Sequence, residues 1–110
     1  MNNFPLIIDK ILTLLFKLTI NSKHTYTICN DKIINTLINY SSNLTISQIE
    51  IFLSIFEHIL GNASNLNKIE NLGYIETLTK LLNNYSYVDS NNSNYIEDTN
   101  NIILTIISQI

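Results

Sequence analysis

The chain contains no tryptophan and no arginine, and only one cysteine, one proline and two glycines among its 110 residues. A single cysteine excludes a disulfide framework and any zinc site built from cysteine pairs. So little glycine and proline excludes a collagen-like chain and a glycine-rich linker. Six lysines against nine acidic residues give a net charge of −3. Because affinity for a phosphate backbone comes mainly from neutralising its charges, we expect no nucleic-acid partner.

Hydrophobic residues, in contrast, make up 45% of the chain, whereas charged residues make up 14%. At this length that is enough apolar material for one small domain with a real core, residues 1–110. No apolar segment reaches the ~20 residues that a membrane-spanning helix needs, and the N-terminal segment lacks the pattern of a signal peptide. We therefore expect no membrane partner, and a cytoplasmic or nuclear location.

Three segments, at about residues 6–21, 47–60 and 95–110, have the periodicity of long helices. The middle segment has the apolar stripe of a buried helix face at Ile49, Phe52, Leu53, Phe56, Ile59 and Leu60. Ser47, with Glu50 three residues later, predicts a capping box at its start. Shorter helices are predicted between the long ones, at residues 22–29, 31–40, 64–72 and 74–83. A polar surface loop is predicted at residues 85–94.

An internal repeat relates these segments. At an offset of 41 residues, Ile34 falls on Ile75 and Leu37 on Leu78, and the first long helix falls on the second. A third copy of the long helix follows at an offset of 51 residues. A period near ~40 residues with two or three helices per unit is typical of armadillo or HEAT solenoids.

Residues 65–82 resemble the first and second helices of the armadillo repeat, in which a short helix ends at a glycine, here Gly73, and an amphipathic helix closing in Leu-Leu follows. Residues 55–62 and 106–110 resemble the end of its long third helix. The resemblance implies an all-α, armadillo-like right-handed α–α superhelix of about two to two and a half repeats. Lys32 departs from it, because the family usually has glycine there, and HEAT-type or other α–α packing stays an alternative.

Each long helix also has three polar residues at spacings of four. These trios are Asp9, Thr13 and Lys17; Glu50, Ser54 and His58; and Asn101, Thr105 and Gln109. Spacings of four place each trio on one helix face, and the repeat offsets place the three trios on the same face of successive units. In the armadillo family the third helices line a concave groove that binds extended segments of partner proteins. The resemblance therefore implies a protein-binding scaffold in which these nine residues contact a peptide.

The expected groove spans about 20 Å, which is room for roughly six residues of extended chain. Asp9, Glu50 and Glu57 favour a mildly basic ligand. The family's nuclear-signal receptors use a Trp and an Asn one turn apart, and a chain without Trp is not expected to bind nuclear localisation signals in that way.

Two alternatives to peptide binding stay open. The polar trios are also what any solvated helix face contains, and a compact helical bundle acting as a structural assembly subunit has the same composition. A bundle is nearly spherical, whereas a solenoid is elongated. The apolar end helices, above all residues 102–110, lead us to expect that the isolated chain self-associates.

The sequence contains no pattern typical of an enzyme, and we expect neither catalytic residues nor a cofactor or metal. His24 and His58 have no ligand-forming residue at a metal-binding spacing. Cys29 lies among apolar neighbours, which predicts a buried structural thiol rather than a nucleophile.

Overall fold

The computed structural model describes residues 4–85 and 94–109, and this part of the chain is all-helical, with seven α-helices and no strand. The helices are α1 (Phe4–Thr19), α2 (Ser22–Ile28), α3 (Asp31–Tyr40), α4 (Ile46–Leu60), α5 (Ala63–Asn71), α6 (Ile75–Tyr85) and α7 (Asn94–Ile107), with a short 3₁₀ helix at Ser41–Asn43. The predicted all-α class is confirmed. Of the loop predicted at residues 85–94, the two end residues belong to helices, and residues 86–93 lie outside the described part of the chain.

Two units follow α1 and have the same order of helices. The first unit consists of α2, α3 and α4, and the second unit consists of α5, α6 and α7. In each, a short helix is followed by a second helix and then by a long one, as the sequence repeat predicts. Helix α1 is the counterpart of α4 and α7 and precedes the first unit.

Asparagine side chains cap three of the helices. Asn21 accepts a hydrogen bond from the backbone N–H of Lys23 (3.0 Å), and Asn62 accepts one from that of Ser64 (2.8 Å). Asn30 caps α3 in the same manner. The first N–H groups of a helix have no partner within it, and an asparagine oxygen at the N-cap satisfies one of them. Part of the asparagine content therefore has a structural role, and the caps at Asn21 and Asn62 lie one repeat apart.

The first and last long helices differ slightly from their predicted bounds. Helix α1 begins at Phe4 rather than at residue 6, because Pro5 lies in the first turn, where its missing N–H would have had no partner. It ends at Thr19, before the cap of α2. Helix α7 ends at Ile107, and the turn that follows includes Ser108 and Gln109.

The capping box predicted at Ser47 and Glu50 is wrong by two residues. The N-cap of α4 is Thr45, whose hydroxyl accepts from the N–H of Gln48 (3.2 Å) while the Gln48 side-chain oxygen accepts from the N–H of Thr45 (3.0 Å). Both pairs satisfy the sequence rule for a capping box. In the observed box the side-chain nitrogen of Gln48 also donates to Asp9 of α1 at 2.8 Å.

The core surrounds α4, which contacts α1, α2, α5 and α7. Leu53, Ile55, Phe56 and Ile59 are fully buried, and Phe52 is nearly so. Side chains on opposite faces of the helix are covered, so α4 is buried on two sides. Each of these residues contributes about 1.5–3 kcal/mol through removal of apolar surface from water.

Side-chain hydrogen bonds join several segments of the chain to their counterparts one repeat later. Six such bonds join partners 39–44 residues apart: Asp9–Gln48, Thr19–His58, Thr25–Asn65, Tyr26–Lys68, Asp31–Tyr74 and Ser41–Tyr85. Near both ends of α1 the partner in α4 lies 39 residues further along the chain. Helices α1 and α4 therefore run parallel, and successive units are stacked in the register that the 41-residue repeat predicts.

A buried polar cluster fastens α5 to α2 and to the end of α4. The Asn65 side chain is fully buried and donates to the Ile59 carbonyl oxygen (2.9 Å) and to the Thr25 hydroxyl (3.3 Å). The Cys29 thiol lies 3.7 Å from the Asn65 carbonyl oxygen. Burial raises the pKa of Cys29, so the neutral thiol is favoured, and the predicted burial of this cysteine is confirmed.

The packed helices have a radius of gyration of 13.3 Å and extents of 39 × 27 × 23 Å. A compact globule of this length has a radius of gyration of about 13 Å. The fold is therefore a compact all-α globule made of two stacked units.

Candidate functional site

The residues predicted to bind a peptide lie on α1, α4 and α7, and α4 contacts both of the other two helices. On α1, Asp9, Thr13 and Lys17 are all exposed. They line one shallow depression together with Lys10 and Leu14. The first trio thus forms a continuous polar surface on a single helix.

The trio on α4 is less accessible. Ser54 is only 6% exposed, and its hydroxyl donates to the Glu50 carbonyl oxygen at 2.9 Å. Glu50 and His58 are half-buried. Helix α4 therefore forms the floor between α1 and α7, and it offers a ligand less side-chain surface than either neighbour.

His58 packs against α1. Its ring stacks on Phe16 with centroids 5.5 Å apart and planes inclined by 24°, and its Nδ1 lies 3.0 Å from the Thr19 hydroxyl oxygen. Thr19 has one hydroxyl proton and donates it to the Phe16 carbonyl oxygen at 2.8 Å. With that proton engaged, the hydroxyl oxygen can accept from His58 Nδ1, and Nε2 takes no part in this contact.

The surroundings of His58 differ from those of the first trio. With Glu57 and Asn62, His58 lines a hollow where α4 ends and α5 begins, whereas Asp9 and Thr13 line the depression on α1. Asp9 is joined to α4 through Gln48.

The trio on α7 is exposed. Asn101, Thr105 and Gln109 all face solvent, and the Thr105 hydroxyl donates to the Asn101 carbonyl oxygen at 2.8 Å. Gln109 follows the end of the helix at Ile107. The trios on α1 and α7 are therefore more exposed than the trio on α4, the helix that contacts both.

Sequence reasoning missed three residues that shape this surface. Gln48, Thr19 and Phe16 hold the α1 and α4 trios in place, and none of them stands out in the sequence. The signal that was available is the repeat itself, because Thr19 and His58 are separated by almost one period and an adjacent helix would bring them together.

The apolar residues near the end of the chain are partly covered by its own helices. Ile103 is fully buried and Ile107 is 7% exposed, whereas Ile102 is 49% exposed; Ile110 lies outside the described residues. On α1, Ile7 and Leu14 are 51% and 58% exposed. Self-association of the isolated chain stays a prediction, and among the described side chains α1 exposes more large apolar residues than α7 does.

Among the described side chains, no three His, Cys, Asp or Glu residues lie close enough together to hold a metal ion. His24 is exposed on α2. None of the helices within residues 4–85 and 94–109 has both the length and the apolar character needed to span a bilayer.

Comparisons with protein-family models, with curated proteins and with solved structures find no significant match to this chain. The case for a function therefore comes from the repeat, the resemblance of its sequence to armadillo units, and the surfaces described above.

Proposed function

We propose that this chain is a protein-interaction module, an armadillo-like α-solenoid of about two to two and a half repeats, in the cytoplasm or nucleus. It binds an extended segment of a partner protein across α1, α4 and α7. The observation that supports this most strongly is the register of the hydrogen bonds between units, in which partners lie 39–44 residues apart. Side-by-side packing of equivalent helices is what presents one face repeatedly to a ligand in repeat proteins.

The ligand we propose is an extended, mildly basic peptide of roughly six residues lying across the three helices. The exposed polar residues on α1 and α7 would hydrogen-bond its backbone, and His58 Nε2 can accept from a peptide N–H. Asp9 and the half-buried Glu50 and Glu57 supply carboxylates for a basic side chain. Extended peptides leave backbone groups unpaired, so polar side chains repeated at helix spacing suit them.

The test begins with a library of ten-residue peptides selected on the intact chain. Binding of a selected peptide is then measured by calorimetry for Lys17→Ala/Asn101→Ala and for a matched control, Lys23→Ala/Asn67→Ala. All four residues are exposed, and the control pair lies on α2 and α5. We expect the first variant to bind at least tenfold more weakly and the control to bind like the unmodified chain. Equal affinity of both variants would contradict the proposed groove.

The compact bundle remains a second candidate because of two observations. The radius of gyration of 13.3 Å is that of a globule, and Ser54 of the middle trio is buried. As a structural assembly subunit the chain would have polar trios that are only solvated. The same library then yields no peptide whose binding depends on Lys17 or Asn101.

A further inference from the structure

Helix α1 carries an exposed apolar stripe made of Ile7, Ile11 and Leu14. These residues are 51%, 42% and 58% exposed. Their counterparts one repeat later are Gln48, Phe52 and Ile55, which are 3%, 1% and 0% exposed. In α4 these positions are covered because α1 lies beside that helix. The stripe on α1 is thus the same helix-packing surface without a helix against it in the described part of the chain.

An apolar pocket of about 250 Å³ continues the stripe between α1 and α3. Ile11, Leu15 and Leu44 line it. At an offset of 41 residues their counterparts are Phe52, Phe56 and Tyr85.

Those three counterparts form an aromatic cluster between α4 and α6. The Phe52 ring lies 4.9 Å from that of Phe56 and 6.2 Å from that of Tyr85, measured between centroids. Aromatic rings therefore fill, between α4 and α6, the place that smaller aliphatic side chains leave open between α1 and α3. A side chain supplied from outside could occupy this space.

The charges beside the pocket are positive. Lys32 lines it on the α3 side, and Lys10 is exposed next to Leu14 on the α1 side. Asp9, the nearest acid in sequence on α1, accepts a hydrogen bond from Gln48 on the opposite side of that helix. In a chain with a net charge of −3, this edge is locally basic.

These charges select between possible occupants. A second copy of the chain, placed with its own α1 edge in the groove, would bring lysines against lysines, and like charges facing each other disfavour an interface. A small apolar molecule would fill the pocket and leave the stripe exposed. Apolar residues at i, i+4 and i+7 along a helix are instead the pattern of helix-in-groove recognition.

We propose that the groove between α1 and α3 binds an amphipathic helix of a partner protein. The apolar face of that helix packs on Ile7, Ile11 and Leu14 and inserts one large side chain into the pocket. Carboxylates along its edges face Lys10 and Lys32. Leu14 and Lys10 also line the depression that contains the first polar trio, so the two proposed sites adjoin on α1. The groove takes a helical, acidic segment rather than an extended, basic one.

The test uses a synthetic 16-residue helical peptide with Leu and Phe at i, i+3, i+4 and i+7 and Glu on both flanks of that stripe. A second peptide has Lys in place of every flanking Glu. Fluorescence anisotropy with the full chain should show saturable binding of the Glu peptide and at least tenfold weaker binding of the Lys peptide. Equal affinity for the two peptides, or no saturable binding, would overturn the proposal.

Substitutions then locate the binding site. Leu14→Glu should lower the affinity for the Glu peptide at least tenfold, and Lys32→Glu should reverse the preference between the two peptides. Ile102→Glu is the matched control, because Ile102 is 49% exposed at the other end of the chain; it should change affinity less than twofold. Because Leu14 and Lys32 are exposed, both variants should keep the helical circular dichroism of the unmodified chain.

A third variant fills the pocket from inside. Ile11→Phe introduces the residue that α4 has at the equivalent place, Phe52, so it should reduce binding at least fivefold while the unfolding midpoint stays the same or rises. Binding that is unaffected by both Leu14→Glu and Ile11→Phe would overturn the proposal. So would a dimer of the unmodified chain that Leu14→Glu dissociates in light scattering, since the groove would then belong to a second copy.

Discussion

The two units turn differently between their short and second helices. In the first unit Asn30 is extended, with φ −123° and ψ 162°, and caps α3, which begins at Asp31. In the second unit Gly73 has a φ of +83°, and α6 begins at Ile75. The counterpart of Gly73 in the repeat is Lys32, which lies within α3. The two units thus have the same order of helices and the same apolar positions, although the turn between the short and second helices differs.

This difference accounts for the departure at Lys32 from the armadillo pattern. A position with a left-handed backbone, such as that of Gly73, favours glycine. Helix α3 begins three residues earlier in the repeat than α6 does, and its start needs an N-cap side chain instead. Asn30 supplies that cap by accepting from the N–H of Ile33 at 3.0 Å. The comparison teaches that the repeat is maintained by its buried positions rather than by its turn residues.

The largest expected difference in stability between counterpart substitutions lies in the long helices. Phe56 is fully buried, whereas its counterpart Leu15 is half-buried. We expect Phe56→Ala to lower the free energy of unfolding by about 3–5 kcal/mol, since it leaves a cavity in the core. Leu15→Ala should cost only about 1–2 kcal/mol, because less apolar surface is lost. Urea denaturation followed by circular dichroism measures both, and equal losses would show that the two helices are buried alike.

A smaller difference in stability is expected for the buried side-chain amide of Asn65 and its counterpart. Asn65→Ala removes the hydrogen bond to the Ile59 carbonyl oxygen and should cost about 1–3 kcal/mol. The counterpart in the first unit, His24, is exposed, so His24→Ala should change stability by less than about 0.5 kcal/mol. The same denaturation experiment compares the pair. A negligible loss for Asn65→Ala would mean that its hydrogen bonds do not fasten α5 to α4.

The smallest contrast tests the two turns by exchanging their residues. A Cβ at Gly73 would meet no atom within 4 Å, so Gly73→Ala should cost only the backbone strain, about 1 kcal/mol. Lys32→Gly brings the first unit closer to the repeat pattern, yet it should also destabilise, by about 0.5–1 kcal/mol, because it places glycine inside a helix. Thermal unfolding detects both changes. A more stable Lys32→Gly variant would contradict the helical start of α3 at Asp31.

The sequence was sufficient to predict the helices and the repeat, because apolar periodicity and the 41-residue offset depend on residues that turned out to be buried. It was not sufficient to choose between two capping boxes at the start of α4, since Thr45–Gln48 and Ser47–Glu50 satisfy the same local rule. Only the contact of Gln48 with Asp9 of another helix distinguishes them.

The candidate site was predictable to a similar extent. The periodicity placed the trios on three neighbouring helices, but it did not indicate that Ser54 is buried while Thr13 and Thr105 are exposed. The pocket beside α1 depends on side-chain volumes contributed by segments about 30 residues apart, at Ile11 and Leu44. A pattern of apolar and polar residues does not record such differences in volume.

The central position of α4 has a consequence for how the molecule opens. Because helices from both sides rest on it, its amide protons should exchange with deuterated solvent only when most of the chain unfolds. Helix α1, covered on one side, can detach at lower cost and leave α4 in place. Transient detachment of α1 would expose the apolar edge of α4 that α1 covers. The molecule would then still present a surface on which a helix can pack.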